Sequence, residues 1–433
     1  MSSITFNFSR PEQVWDVLVV GGGAAGVFAA IAAAKNGAKT LLVEKNGVLG
    51  GTITTAGVNF PGLFHAWGKQ IIGGPCWDAI LRTVELGGAT IPPIQFQPVH
   101  HYDEQISVNE FIYSYVLDES LAQSGAVALL HTTLGALKQT EDGVLVLLAK
   151  REGLSCIKTK TIIDATGDAA AAAMMDYPRI KSTSVQPATL IHDLTGYDPN
   201  ALNPTLIQTY TDQWIAEGQL KREDFQGNGM LSSLKARRIY MHLSGQDADS
   251  SEGKTLLEQQ ARQNLMRIIH CIRKIPGLEN LTVSHCAQEC GVRETFRIVG
   301  EKTITAENYI NGVVYDDAVC YSFYPIDRHI PEGIYQVFLK PESVPTIPYG
   351  ALIPQGSQRL LAAGRCISGD ADASSAYRVQ ASCMAIGQVA GTAAAMAVRQ
   401  NCNVQQIPYK ELCNNLQKIG AIVPNGTSEL IRE

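Results

Sequence analysis

The sequence predicts an α/β protein with a doubly wound domain on a parallel sheet, joined to a domain of mixed α+β structure. Three observations predict it. First, the β-branched apolar run VWDVLVV at 14–20 ends on glycines and opens into an alanine-rich stretch, 24–35, that holds few turn formers. Second, that stretch closes at Asn36-Gly37 and leads into another apolar run, KTLLVE at 39–44. Strand, tight turn, helix and strand make a complete βαβ unit, whose strands are expected parallel with a right-handed crossover. Third, TIIDA at 161–165 and RLLAA at 359–363 read as later strands, so the sheet is resumed after long excursions.

The length, 433 residues, suggests two or three packed units. Hydrophobic residues at 45% and charged residues at 18% give a globular balance. A net charge of −6 supplies no basic field for a phosphate backbone, so nucleic acid is not an expected partner. Residues 1–13 carry no targeting pattern, and the small-apolar run at 24–34 is shorter than the roughly 20 residues a bilayer needs. A cytoplasmic protein without a membrane span is expected, with room for a homo-oligomer. The ten cysteines include no CxxC pair and read as reduced thiols; Cys286 and Cys290, four apart, lack the spacing of a redox pair.

The remaining elements follow in order. Residues 46–68 are rich in glycine and threonine, and 86–105 carry prolines and a histidine pair; both read as loops, within a loop insertion at about 60–105. A helix is expected over 108–123 and strands over 126–131, 144–149 and 161–165. Residues 182–345 alternate strand-like segments (ATLIHDL, RIYMHLS, AVCYSFYPI, IYQVFL) with helices such as 256–273. A strand at 359–363 and a long buried helix at 379–398 close the chain. The expected division is 1–181 with 346–433 as one discontinuous domain and 182–345 as a substrate or cap domain.

Gly21, Gly23 and Gly26 form G-x-G-x-x-G between the first strand and helix. The first glycine permits the turn, the second lets a pyrophosphate reach the backbone, and the third lets helix and strand pack closely, with the phosphates on the helix N-terminus. Glu44, eighteen residues past Gly26, ends the second strand, where an acid accepts from ribose hydroxyls. These residues alone do not separate FAD from NAD. Three later segments favour a flavin: the glycine loop 50–52, the strand end 164–168, and the 363–365 loop leading to Asp370 and a long helix whose N-terminal amides suit the ring's pyrimidine end.

With these residues in place the chain resembles the bacterial FAD-dependent oxidoreductases of the glutathione-reductase-like superfamily, akin to fumarate reductase flavoproteins. The segments that carry it include VLVVGGGAAGVFAAIAAAKNGAKTLLVEKNGVLGGTITTAGV, IIDATGDAAAA, GVRETFRIVGEKTIT, YPIDRH and AGRCISGDADASSAYRVQASCMAIGQVAGTAAAMAV. The resemblance implies a Rossmann-like FAD-binding domain. Gly21, Gly23, Ala24, Ala25 and Gly26 would hold the pyrophosphate, and Glu44 with Lys45 the ribose. Gly51 and Thr52 would line the ribityl chain, Thr133 or Leu134 would touch adenine, and Ala165, Thr166 and Gly167 would flank it. Gly364 and Asp370 would approach the ribitol, and Arg378, Val379 and Gln380 the flavin's carbonyl edge. Arg365 departs from the glutamate that related fumarate reductases carry there, and the arginine acid and paired histidines of fumarate reduction are not found. No metal is expected.

Flavin carries the redox chemistry, so the protein must supply positioning and a proton group. Asp327 and His329 lie two apart, on one side of an extended segment, with His329 the general acid–base candidate. Arg293, Glu294 and Arg297 sit at helical spacing in GVRETFR, where an inward-facing Arg293 can clamp a carboxylate or a hydroxyl-rich substrate and an intrahelical ion-pair network is the equal alternative. Tyr377 and Arg378 precede the last long helix and are expected at flavin and substrate. His65, Lys69 and Gln70 rank lower, and His100 and His101 read as solvated loop residues. The expected function is FAD-dependent oxidation or reduction of a small organic substrate by hydride transfer to or from flavin N5, with a separate electron partner. The alternatives are a flavin-dependent RNA-modifying or thiazole-forming enzyme, and a non-catalytic flavoprotein.

Overall fold

The computed structural model describes residues 11–94, 101–225, 229–245, 247–330 and 333–424. The chain opens with β1 (Gln13–Val20), α1 (Ala24–Lys35) and β2 (Thr40–Val43). Asn36 caps α1 and Gly37 takes a positive φ of 88°, the left-handed turn that the Asn-Gly pair favours. The hairpin β3 (His65–Ala66) and β4 (Lys69–Gln70) and the helix α2 (Pro75–Gly87) stand within the expected loop insertion. α2 buries Cys76, Ala79, Ile80, Thr83 and Val84, a helical spacing between Gly74 and Gly88 that makes this stretch part of the core.

Next come α3 (Glu110–Ser124), β5 (Val127–Leu129), β6 (Thr133–Thr140), β7 (Gly143–Lys150) and the long β8 (Gly153–Asp164). β5, β2, β1 and β8 run parallel in that order. β8 has two jobs: its first half pairs antiparallel with β7 in a meander that includes β6, and its second half enters the parallel sheet. The short α4 (Ala170–Met174) and β9 (Arg179–Lys181) follow.

A second core is built from β10 (Ala188–Thr195), α5 (Pro204–Ala216), α6 (Gly229–Ala236), β11 (Arg238–Leu243), α7 (Ser251–Ile272) and β12 (Thr282–Cys286). β10 is the centre of its three-stranded antiparallel sheet. The buried apolar residues of this core run from Ala188 to Cys290. The next elements, β13 (Phe296–Ile298), α8 (Ala306–Ile310), β14 (Ala318–Tyr321), the hairpin β15 (Ile326–Ile330) and β16 (Gly333–Val337), and β17 (Thr346–Pro348), are followed by β18 (Leu360–Ala362). Ile298, Ile304, Tyr309, Val319 and Ile326 pack in the larger core, so the stretch after 290 belongs with the parallel sheet in its burial.

β18 joins β8 in parallel and is followed by α9 (Ala371–Tyr377), α10 (Gln380–Gln400) and α11 (Tyr409–Lys418). α10 is long and apolar enough to cross a membrane by length and composition, yet 94% of its most apolar window is buried in the protein. It lies against α1 through glycines. A Cβ on Gly387 would stand 2.1 Å from the Ala25 carbonyl oxygen, and one on Gly391 2.0 Å from that of Ala29. Two helices at that approach bury Val27, Phe28, Ile31, Ile386 and Val389, each worth about 1.5–3 kcal/mol relative to exposure. The contact also fixes where both N-termini stand.

Candidate active site and cofactor cleft

A cleft of about 1290 Å³ runs from the glycine loop after β1 to the β15–β16 hairpin. Single small-ligand pockets hold about 300–1,000 Å³, so this volume accommodates a dinucleotide and a substrate together. At its first end, Gly21 has φ 101°, and a Cβ there would meet the Ala165 carbonyl oxygen at 2.5 Å. Gly51, φ 59°, packs against Gly23 at the edge of the cleft, and a Cβ on Gly51 would come 2.8 Å from the Gly23 Cα. A Cβ on Gly23 meets only the Gly51 Cα, at 3.8 Å, so the space beside it belongs to the cleft. Neither α1 nor α10 has a side-chain cap at its N-terminus. The α10 amide of Ala381 is taken by the Pro61 carbonyl at 2.8 Å. Open amides and aligned helix dipoles suit the phosphates and the electron-rich edge of a flavin, and the residues present fit FAD.

Glu44 is buried at the end of β2, where its carboxylate accepts from the Gly22 amide at 2.6 Å and the Asn46 amide at 2.8 Å. It locks the glycine loop while lining the cleft, and its remaining lone pairs can accept from ribose hydroxyls. Lys45, Ala24, Ala25, Thr52, Ala165, Thr166, Gly167, Gly364, Arg378, Val379 and Gln380 line the same cleft. Gln380 donates to the Thr52 hydroxyl at 2.7 Å and the Val58 carbonyl at 3.1 Å, while its own carbonyl oxygen is buried without a partner.

Five expected positions stand elsewhere. Gly26 does not face the cleft; a Cβ there would lie 1.8 Å from the Gly21 carbonyl oxygen, so this glycine seats α1 on its turn. Thr133 and Leu134 start β6 outside the lining, because the preceding segment is pinned to β2: the Thr132 amide donates to the Glu44 carbonyl. Lys45 and Asn46 form that rim instead. Asp370 caps α9, accepting from the Ala373 and Ala306 amides at 2.7 Å each. Tyr377 is fully buried, donates to the Ile367 carbonyl at 3.1 Å and does not line the cleft. Its neighbour Arg378, the C-cap of that helix, turns into the cleft.

Arg365 has a structural partner set: its Nε donates to the Gly167 carbonyl at 2.8 Å, and its guanidinium pairs with Asp168 at 2.7 Å and bonds the Val292 carbonyl. It thereby ties the end of β8 to the loop that carries Arg293. His65, Lys69 and Gln70 lie on the β3–β4 hairpin outside the cleft, His65 buried edge-on against Trp77 at 5.2 Å. Val58, Phe60 and Gly62, just upstream, provide the wall there. His100 lies outside the described residues. No cluster of three metal-ligating side chains occurs among the described residues.

At the other end Asp327 and His329 sit two apart on β15 and face the cleft together. His329 Nε2 is 3.0 Å from Asp327 Oδ2, and Gln336 donates to Asp327 Oδ1 at 2.9 Å. His329, Arg378 and Gln336 overcome burial and hold the Asp327 carboxyl well below the usual range, so it is ionised. Burial, helped by the charge of Arg293, lowers His329 to about 4. The imidazole is therefore neutral at pH 7, with Nε2–H on the carboxylate and Nδ1 bare; Nδ1 is buried and has no partner. Gln186, which sequence reasoning missed, accepts from the His329 amide at 3.1 Å and from Arg378 at 3.4 Å. His242, also missed, stands edge-to-face with His329 at 4.9 Å and is kept neutral mainly by burial.

Residues 16–416 match the family model described as FAD dependent oxidoreductase. Over 53 residues the chain is 51% identical to cinnamate reductase of Clostridium sporogenes, covering 12% of this chain and 8% of that protein. Over 158 residues it is 31% identical to digeranylgeranylglycerophospholipid reductase of Methanocaldococcus jannaschii, covering 36% and 39%. The chain thus spans well under half the length of the curated relatives it matches. Among solved structures, a geranylgeranyl bacteriochlorophyll reductase-like protein of Thermoplasma acidophilum aligns with a TM-score of 0.45 at 14% identity, over 94% of this chain and 83% of that one. Taken with a cleft that fits the dinucleotide, the match across residues 16–416 shows that this chain belongs to the FAD-dependent oxidoreductases.

Proposed function

We propose that the chain oxidises or reduces a small organic molecule held beside the flavin, with Asp327 and His329 moving the proton. The observation that carries this reading is one continuous cleft lined by Gly21 and Gly23 at one end and by Tyr324, Asp327, His329 and Arg378 at the other. Bound flavin supplies the hydride chemistry at its N5 position. Neutral His329 accepts a proton at Nδ1, and Asp327 stabilises the imidazolium that results while fixing the ring's tautomer. Arg378 and Arg293 orient the substrate, and the loop at Val58, Phe60 and Gly62 with the β15–β16 hairpin walls the site. We place this substrate region between the FAD-binding domain and the unit expected over 182–345, in a protein of the cytoplasm with a separate electron partner.

The test is an anaerobic screen of small organic compounds against FAD-loaded protein, following the visible flavin band. One compound class should bleach or restore the band, and His329→Ala should slow it about 10²-fold or more at unchanged FAD content. A flavoprotein that exchanges electrons with no compound supports the non-catalytic alternative. An alanine variant with full rate removes His329 from the chemistry.

A further inference from the structure

Two guanidinium groups reach the substrate end of the cleft, and one carboxylate, Asp327, lines that end with them. Arg293 comes from the loop after β12. Its Nη1 donates to the Pro187 carbonyl at 2.5 Å and the Thr189 hydroxyl at 2.7 Å, and its Nη2 stands 3.2 Å from His242 Nε2. All three partners are neutral, since burial and the charge of Arg293 keep His242 unprotonated. Arg378 comes from the α9–α10 junction. Its Nη2 is 3.4 Å from the Gln186 and Asp327 carbonyl oxygens and 4.0 Å from Asp327 Oδ2, and its Nε is buried with no partner.

Asp327 is already engaged on both oxygens, by His329 and Gln336. Among the residues that line this end of the cleft, two cations therefore stand against one committed anion; Glu294, whose field also reaches Arg378, lies behind the lining and is paired with Arg297. Burial and the neighbouring Arg378 lower Arg293 to about 9, and burial lowers Arg378 although Asp327 and Glu294 oppose it. Desolvated charge of this kind is costly unless a counterion completes it. Apolar and aromatic side chains line the cleft on the same strands: Ile334 is the register partner of His329, Ile191 is that of Tyr240 beside His242, and Phe60 stands 6.1 Å from Tyr240 between ring centroids.

We propose that Arg293 and Arg378 jointly bind the carboxylate of the substrate, so that the substrate class is a small monocarboxylate with an apolar or aromatic body. This rests on the oxidoreductase reading above and deepens it. A carboxylate matches the planar fork of a guanidinium and can take the free Arg378 Nε donor. One negative charge balances the excess; a dianion would overshoot it and face the Asp327 carboxylate. The anion would also offset the field of Arg293 at His329, making that ring a better proton acceptor when substrate is present.

The experiment titrates FAD-loaded protein with benzoate and with benzamide, its neutral counterpart of the same shape, at fixed ionic strength. Binding is read calorimetrically and from the visible flavin band, with FAD content measured in every sample. Benzoate should bind saturably and at least tenfold more tightly than benzamide, and Arg293→Met should bring benzoate to the benzamide level. Equal binding of the two in the wild-type protein, or no binding of either to fully loaded protein, overturns the proposal whether or not the variant folds. So does an Arg293→Met protein that folds, carries FAD and keeps the preference. The two readings fail separately. Turnover confined to neutral substrates refutes the carboxylate site alone; benzoate binding through Arg293 in a protein that exchanges electrons with no compound refutes the oxidoreductase mechanism.

Discussion

Gly23 and Gly26 are three residues apart in one motif, yet the structure gives them opposite responses to a single added methyl group. At Gly26 the Cβ would lie 1.8 Å from the Gly21 carbonyl oxygen, where real contacts stay beyond 3.0 Å. Relief requires α1 to move by more than 1 Å from β1, but α1 is clamped on its other side by Gly387 and Gly391 of α10. Overpacking costs about 1–3 kcal/mol and occasionally more, and backbone on both sides puts Gly26→Ala at the upper end, about 3 kcal/mol. At Gly23 φ is −76° and the only neighbour is 3.8 Å away, so Gly23→Ala should cost no more than about 1 kcal/mol, mainly from a poorer N-cap. Its methyl group would nevertheless stand where the pyrophosphate must approach. The assay is a pair of measurements: chemical denaturation of each FAD-free variant, and FAD retained per chain after desalting. Gly23→Ala should unfold near the wild type and lose FAD, while Gly26→Ala should be destabilised without cofactor. Stoichiometric FAD in Gly23→Ala, or a wild-type midpoint in FAD-free Gly26→Ala, would refute the reasoning.

Asp327→Asn removes the charge that holds the His329 Nε2–H, and turnover should fall roughly 10²-fold with FAD content intact; a pH-independent loss of less than threefold counts against the pair. Acid should unfold the protein early, because burial lowers His192 and His329 each to about 4 from 6.5. The unfolded chain then binds their protons first as pH falls, so the stability of these neutral rings is complete above pH 6.5 and is lost toward pH 4, on the order of 3 kcal/mol for each. Denaturation midpoints at pH 7, 6 and 5 read this directly, and His192→Leu should flatten the dependence; a wild-type midpoint unchanged down to pH 4.5 contradicts it. Finally, the sequence holds one G-x-G-x-x-G in a strand–turn–helix setting, so NADH and NADPH should not bleach the flavin rapidly. Fast saturable reduction by either in anaerobic stopped flow sinks that expectation.

The parts of this protein written in local sequence are those set by a few adjacent residues. The β1–α1–β2 unit, its Asn-Gly helix stop, the glycine loop and the acid at Glu44 follow from periodicity, turn chemistry and the conformational freedom of glycine at Gly21. The alternation at Asp327 and His329 likewise places both on one side of β15 before any tertiary contact is known. Helix α2 falls inside the expected loop insertion: its buried residues do recur at helical spacing, but the glycines and prolines on either side hide that pattern in the sequence.

Other assignments depended on packing between distant segments. Gly26 and Gly23 share a motif, and only the position of α1 over its turn decides which one faces the cleft. Tyr377 and Arg378 are neighbours on the chain, but helical rotation buries one and turns the other into the site. Local pattern cannot show that Arg365 braces Gly167 and Asp168, nearly two hundred residues earlier, or that Gln186 and His242 close around His329. Nor can it show that Arg293 and Arg378, 85 positions apart, line the same end of one cleft. Such contacts are long-range and their chemistry comes from burial and charge balance, quantities that exist only once the chain has folded.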